Sequence, residues 1–276
     1  MANGATDRLP RGGSGETLPR VRAVSRAIAI LRTFTPEQPY LALGEVAGRA
    51  GLDAGTTRRL LVTLRDEGLI AQDSRTGRYA LTMAMLRLAR AVPEGRSLRD
   101  LAGDLLPGLA DTLGLTVFLS VVQGDEALCL ARHHGAAPVQ VRWWAVGGTL
   151  PLNCGAAPRL LLAHLDPARQ AAVLSAALPA LTGNSLTDPG ALQDDIAAIR
   201  VRGWSFARDD VADGLSALAA PVRDGEGRVV AAMSVAGLTA TLTRPGSDAP
   251  RPEALAALLD CCAELSERIA TTGFTM

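Results

Sequence analysis

The chain has 276 residues, 48% hydrophobic and 20% charged, which suits one large or two ordinary globular domains and excludes a wholly disordered chain. All 28 basic residues are arginine, balanced by 28 acids, so chemistry that requires a lysine (a Walker A loop, a Schiff base, a Ser-x-x-Lys nucleophile) is excluded. The charge is unevenly spread: residues 21–90 hold eleven arginines against six acids and residues 91–276 hold fourteen against twenty, a basic module joined to an acidic one, with an anionic partner expected for the first.

In chain order, residues 1–20 carry four glycines and two prolines with few apolar side chains and read as a disordered tail without the apolar core of a signal peptide. No uninterrupted apolar run reaches the ~20 residues of a membrane helix, so no membrane association and a cytoplasmic location with reduced thiols are expected. Val24, Ala27, Ile28, Leu31 and Phe34 follow helical spacing until Pro36, and a second short helix fits Leu43 to Ala50 with Gly51 as its stop. A third begins after Asp53, a natural N-cap. Leu69–Gln72 and Arg78–Leu81 then flank the turn-forming run Asp73-Ser74-Arg75-Thr76-Gly77, a hairpin signal. Three helices and a hairpin predict a winged helix-turn-helix over 21–81. A helical segment from Thr82 to about Val92 and the Pro93-Glu94-Gly95 interruption make a linker helix and hinge over 82–96.

Residues 97–272 predict a second domain. It opens with a helix over Leu98–Leu113 and continues with strands over Leu115–Val122, Ala127–Arg132 and Val139–Val146. Helices follow from Ala156, over Pro167–Ala177 and over Pro189–Arg202. Strands over Gly203–Arg208, Leu215–Val222 and Arg228–Val235 and a helix over Pro252–Ala270 complete it. A sheet flanked by helices places the chain in the α+β class.

The third helix, within GLDAGTTRRLLVTLRDEGLI (Gly51–Ile70), starts with four donor-bearing side chains. On a helical wheel Leu60, Leu61 and Leu64 define the buried stripe and Thr57 falls inside it, while Thr56, Arg58, Arg59 and Thr63 remain outside. Arg58 has no acid three or four residues away on either side. Such a row is either a solvated face or a reading edge. Arginine grips guanine O6 and N7 bidentately, and a threonine serves a phosphate or a thymine methyl. The N-terminal part of the second helix of a helix-turn-helix is where base contacts are made, which favours the reading edge. Arg75 at the hairpin tip and Arg78 beyond it are placed for flanking backbone or minor-groove contacts.

The run AVSRAIAILRTF…LALGEVAGRAGLDAGTTRRLLVTLRDEGLIAQDSRTGRYAL, then GGTLPLNCGAAPRLLLAHL and RGWSFARDDVADGLSALAAPVRDGEGRVVAAMSVAG, resemble the IclR family of bacterial transcription regulators over about residues 20–270. The resemblance implies a winged helix-turn-helix, a connecting helix used in dimerisation, and a GAF/PAS-like effector-binding domain. It implies a homodimer or dimer of dimers on palindromic double-stranded operator DNA, without a cofactor. Ala54, Gly55 and Thr56 stand where the family usually carries a Lys-Ser-Thr type sequence, Arg58 where histidine is frequent, and Gly44 where a Ser or Thr cap is usual. The operator is therefore expected to be the chain's own.

The same resemblance places an effector pocket between the sheet and the helix opening at Ala156 and Ala157, whose backbone N–H groups match those that receive a ligand carboxylate. A helix N-terminus suits an anion on physical grounds as well. Positions that are polar in some relatives are here Ala207, Ala217 and Ala236, and only Ser234 keeps a hydroxyl, so the expected effector is a small carboxylate or a partly apolar or aromatic metabolite. Strand alternation puts Arg142 and Trp144 on one face and Trp143 on the other, so Arg142 could supply a cation and Trp144 a flat wall. Asp209 and Asp210 read as solvated loop acids, with Asp209 the one able to reach the pocket mouth. His133 and His134 alternate in a strand and cannot easily share an ion, no C-x-x-C pair accompanies the four cysteines, and no base is identifiable near Cys154, so neither a metal site nor a catalytic residue is expected. The expected function is ligand-responsive transcription regulation, as repressor or activator; the alternative is an enzyme acting on a small acyl or hydroxy-acid substrate through the second domain.

Overall fold

The computed structural model describes residues 21–35, 38–90, 98–137, 140–141, 144–244 and 246–272. The expected tail, Pro36, the hinge around Pro93-Glu94-Gly95, Arg142 and Trp143 lie outside them. The chain divides between residues 93 and 94 into two compact units.

The first unit contains α1 (Arg22–Leu31), α2 (Leu43–Ala50), α3 (Ala54–Asp66), the antiparallel hairpin β1 (Ile70–Gln72) and β2 (Tyr79–Leu81), and α4 (Ala84–Arg90). Its core is small: Ile30, Leu41, Val46, Leu61, Leu64, Ile70 and Tyr79. Local chemistry sets the turn between α2 and α3. Gly51 takes a left-handed φ of 63° that ends α2, a conformation glycine adopts without a Cβ penalty. Asp53 then caps α3 by accepting the Thr56 N–H at 2.8 Å. Thr57 is fully buried and its hydroxyl donates to the Asp53 carbonyl at 2.8 Å, so it belongs to the core side of the helix.

The second unit is built on one six-stranded antiparallel sheet of order β5-β4-β3-β8-β7-β6. The strands are β3 (Thr116–Gln123), β4 (Glu126–His134), β5 (Thr149–Pro151), β6 (Ser205–Arg208), β7 (Leu215–Arg223) and β8 (Val229–Leu238). The helices are α5 (Leu98–Ala102), α6 (Leu105–Leu113), α7 (Ala156–Ala163), α8 (Pro167–Ser175), α9 (Pro189–Arg202), the short α10 (Thr239–Leu242) and α11 (Pro252–Thr272). Period-two alternation along the strands makes two cores of different texture. Leu119, Leu218, Met233 and Val235 face α6 and α11, whereas Phe118, Ala219, Ala232 and Ala236 face α7 and α9. Small side chains on the α7 face let that helix, itself opening with Ala156 and Ala157, lie close to the sheet.

Two sequence expectations fail here. The helix expected over Leu98–Leu113 is two helices, broken at Gly103-Asp104. Pro107, in the first turn of α6, has no N–H for an intrahelical bond, and its ring is incompatible with a continuous helix four residues earlier. Arg268 of α11 holds the break through the Leu101 carbonyl at 3.2 Å and the Asp104 carboxylate at 2.6 Å. The strand expected over Val139–Val146 is absent from its described residues, and β4 instead pairs with β5, Leu128 against Thr149. Gly147, at φ 84°, turns the chain, and Gly147 and Gly148 make the first backbone bonds to Cys129, at 2.8 and 2.9 Å. An apolar run was legible as strand-like, but the turn and the inward tuck of Trp144 override it.

Leu258 of α11 is fully buried beneath the sheet, so Leu258→Ala is expected to cost the second unit about 2–5 kcal/mol. Urea unfolding followed by circular dichroism reads this; an unshifted transition would remove α11 from the core.

Candidate DNA-binding and effector sites

On α3 the arrangement follows the wheel. Arg58, Arg59 and Thr63 are exposed and Thr56 is half-buried. Among the described residues neither the Arg58 nor the Arg59 guanidinium makes a hydrogen bond or ion pair. Thr63 returns its hydroxyl to the Arg59 carbonyl at 3.2 Å, which leaves its methyl outward. The helix thus presents two unpaired cations in its N-terminal half, where its dipole adds to their positive field.

The wing is ordered by its own turn. Asp73 Oδ1 accepts the N–H groups of Arg75 at 2.7 Å and Thr76 at 3.1 Å, and Gln72 donates to the Gly77 carbonyl at 3.0 Å. Arg75 is exposed at the tip without a side-chain partner among the described residues. Arg78 differs: its guanidinium is held by the Tyr40 carbonyl at 3.0 Å and by Glu45 at 3.1 Å.

In the second unit a cleft lies between α7, β3, β7 and β8. Its walls include Phe118, Val141, Trp144, Ala156, Ala157, Asp210, Ala217, Ser234 and Ala236. It encloses about 440 Å³ counted out to the mouth. Trp144 is nearly buried and stacks on Phe118, with ring centroids 5.4 Å apart at 29°. Its indole N–H donates to the Gly148 carbonyl at 3.0 Å, so the ring is fixed as a flat wall. Ser234 is the one cleft hydroxyl without a hydrogen bond among the described residues, since Ser216 is paired with Thr239 at 2.9 Å.

At the N-terminus of α7, Gly155 adopts φ 93° and ψ 157°, a region closed to other residues, and the Ala156 and Ala157 N–H groups have no partner among the described residues. The Gly155 N–H donates to Asp210 Oδ2 at 2.9 Å. Asp210 is therefore no solvated loop acid: it is 4% exposed and lines the cleft. Asp209, the acid the sequence placed at the mouth, is turned away by its left-handed φ of 56°. That one residue breaks the strand alternation, and the Asp209 carboxylate meets the Thr239 hydroxyl at 2.8 Å instead. Burial pushes the Asp210 carboxyl above its usual range, while Arg159 and the Gly155 N–H pull it back. Arg159, nearly buried in the apolar run of α7, binds Asp195 at 2.8 Å, the Phe206 carbonyl at 3.0 Å and Asp210 at 3.5 Å.

Sequence reasoning missed Phe118, Asp210 and Arg159. The signal for Arg159 was present: a lone charge inside Ala-Pro-Arg-Leu-Leu-Leu has to find buried acids. No signal separated Asp210 from Asp209. The thiols are structural. Burial pushes Cys129 up to about 11 and raises Cys154, whose Sγ donates to the Pro179 carbonyl at 3.4 Å. Among the described residues no group of three or more His, Cys, Asp or Glu side chains could hold a metal, and no helix is long and apolar enough to cross a membrane.

Comparison with known proteins identifies the family of both units. Residues 23–74 match the IclR helix-turn-helix domain and residues 91–267 the family described as bacterial transcriptional regulator IclR C-terminal. The chain is 30% identical over 255 residues to the glycerol operon regulatory protein of Streptomyces coelicolor, covering 92% of this chain and 98% of that one. Its fold is similar to the IclR transcriptional regulator of Alicyclobacillus acidocaldarius, with a TM-score of 0.76 and 25% identity over 91% of this chain and 100% of that one. It is similar also to an IclR homologue from Microbacterium hydrocarbonoxydans complexed with 4-hydroxybenzoate, with a TM-score of 0.75 and 23% identity over 90% and 98% of the two chains.

Breaking a buried ion-pair network by removing one partner costs about 3–5 kcal/mol, so Arg159→Ala is expected to unfold the second unit at markedly lower urea, whereas an exposed-pair cost below about 1 kcal/mol would contradict the network. With its acidity at about 11, Cys129 holds about one thiolate in a thousand at pH 8. Ellman's reagent should therefore leave Cys129 unmodified in the native protein and reach it only after unfolding.

Proposed function

The chain belongs to the IclR family of bacterial transcription regulators, and from that premise we propose that it is a homodimeric regulator of operator DNA controlled by a small, largely apolar effector. It is a transcription regulator and not an enzyme, as its relatives are. The observation that carries the reading is the pair of unpaired guanidinium groups, Arg58 and Arg59, on the exposed N-terminal half of α3. In this role α3 enters the major groove with Arg58 and Arg59 at base edges, Thr56 and Thr63 flank them, and Arg75 of the wing takes the neighbouring backbone.

Two such heads acting together explain the apolar side chains the first unit leaves exposed. Val21, Val24 and Ile28 lie three and four residues apart at and along α1, and Met83, Leu86 and Leu88 stand on and before α4. Burying them against a second copy would set two recognition helices for half-sites of a palindrome.

The cleft supports a flat, partly aromatic effector. Phe118 and Trp144 supply the ring-binding wall, Ser234 a hydroxyl, and the Ala156 and Ala157 N–H groups an acceptor site for one polar end. Arg142, adjacent in sequence to cleft residue Val141, is our choice for a cation that meets a carboxylate. Binding of such a molecule between α7 and the sheet would bias how those elements pack. That coupling would transmit the signal to DNA binding. 4-Hydroxybenzoate, bound by the Microbacterium homologue, exemplifies the class. Operator DNA places the regulator in the cytoplasm.

Loss of one bidentate base contact is worth about 1–3 kcal/mol, so Arg59→Ala should weaken specific operator binding by roughly ten- to a hundredfold while light scattering still finds the dimer; an unchanged footprint would sink this reading of α3. In a thermal-shift screen of hydroxybenzoates and small aliphatic acids, a ligand at a hundred times its Kd stabilises by about 2.7 kcal/mol. The shift is expected for aromatic acids and should vanish in Trp144→Ala. Equal shifts in that variant would move the site elsewhere.

A further inference from the structure

Arg78 stands where a wing arginine would meet DNA, yet its guanidinium is committed within its own module. Nη1 donates to the Tyr40 carbonyl at 3.0 Å and to Glu45 Oε2 at 3.1 Å. The same Glu45 oxygen accepts the Ala42 N–H at 2.7 Å, capping α2. One residue further, Tyr79 and Leu41 exchange backbone hydrogen bonds at 2.8 and 3.0 Å. The root of the wing is thus stitched to the segment that enters the first helix of the helix-turn-helix. The tip, two residues before Gly77, carries Arg75 with nothing to release.

We infer that Arg78 is a positioning residue that, with Glu45 and the Tyr40 carbonyl, fixes the wing against α2 so that Arg75 reaches the DNA backbone. The inference rests on the DNA-binding reading above. Both bonds come from Nη1 of Arg78, so its remaining donors can meet a phosphate only from the position the clamp sets, whereas the Arg75 guanidinium is free to swing onto one. Glu45 adds a second reason. The Ala42 N–H and the Arg78 charge hold its carboxyl below the usual range, so it is an anion at the start of α2 in a module that approaches phosphates. Arg78 cancels that charge locally as it sets the angle.

The test uses the full chain and a duplex that the wild-type chain selects from a random pool. Glu45→Gln and Arg78→Met should each weaken binding roughly two- to fivefold, as an exposed clamp allows. Both should lose the wing-side backbone protection in hydroxyl-radical footprints while major-groove protection stays. Adding Arg78→Met to Arg75→Ala should weaken binding no further, and the logarithmic salt slope should fall by about one for the pair as for Arg75→Ala alone. Three outcomes overturn the inference: Glu45→Gln binding as well as or better than wild type, Arg78→Met binding as wild type, or the double variant losing about two units of slope, which would make Arg78 itself a phosphate contact. Melting curves accompany each variant, and if Arg78→Met does not fold, the Glu45→Gln affinity and footprint decide. A wild-type chain that selects no duplex removes the DNA-binding reading and the inference with it, whereas the variant outcomes bear on the inference alone.

Discussion

A charge carried into the interior of the second unit constrains whatever surrounds it. Arg159 comes from a helix that is otherwise alanine, proline and leucine, and its guanidinium has lost most of its water. It is matched by Asp195 from α9, Asp210 from the loop after β6 and the Phe206 carbonyl of β6 itself. An ion cluster of this kind adds little net stability over a well-packed apolar one, but no member can move without exposing the others. What it fixes is geometry. It ties the N-terminal turn of α7, and with it the end wall of the cleft, to three elements distant in sequence.

The helix starts show the same division between structure and recognition. Asp53, Asp166 and Asp188 each cap their helix through the N–H three residues on, at 2.7 to 2.9 Å. Helix α7 has glycine at that position and no side-chain cap, so its first N–H goes to Asp210 and the next two open on the cleft. In the winged module the cap of α2 is made by Glu45, and Arg78 extends it into a clamp. The starts of α7 and α2 thus recruit a distant residue, Asp210 and Arg78, where Asp53, Asp166 and Asp188 act alone.

Much of this was legible in the sequence because short-range rules governed it. Leu60, Leu61 and Leu64 fixed the buried stripe of α3, which sent Thr57 inward and left Arg58 and Arg59 out. Pro189 and Gly203 bracketed α9. The family resemblance, which matched Ala217, Ser234 and Ala236 to pocket positions, implied a cleft wall poor in polar groups. The failures came where a single backbone residue or a distant partner decides. Pro107 splits a continuous amphipathic pattern, and the left-handed Asp209 exchanges which of two adjacent acids points inward. Gly147 ends an apolar run before it can pair as a strand. Arg78 looked like any exposed wing cation because its partners, Tyr40 and Glu45, lie more than thirty residues away.

The two-textured sheet has a consequence for how such a protein can change over time. In β7 and β8 the side chains that hold α6 and α11 alternate with the small ones that face the cleft. Neighbouring residues therefore answer to different selective demands. A mutation that enlarges or polarises Ala217 or Ala236 alters the shape and polarity of the cleft wall, while Leu218, Met233 and Val235 keep the domain folded. Because cores resist only the changes that reach them, the cleft wall can be altered by single substitutions that leave the α6–α11 core intact.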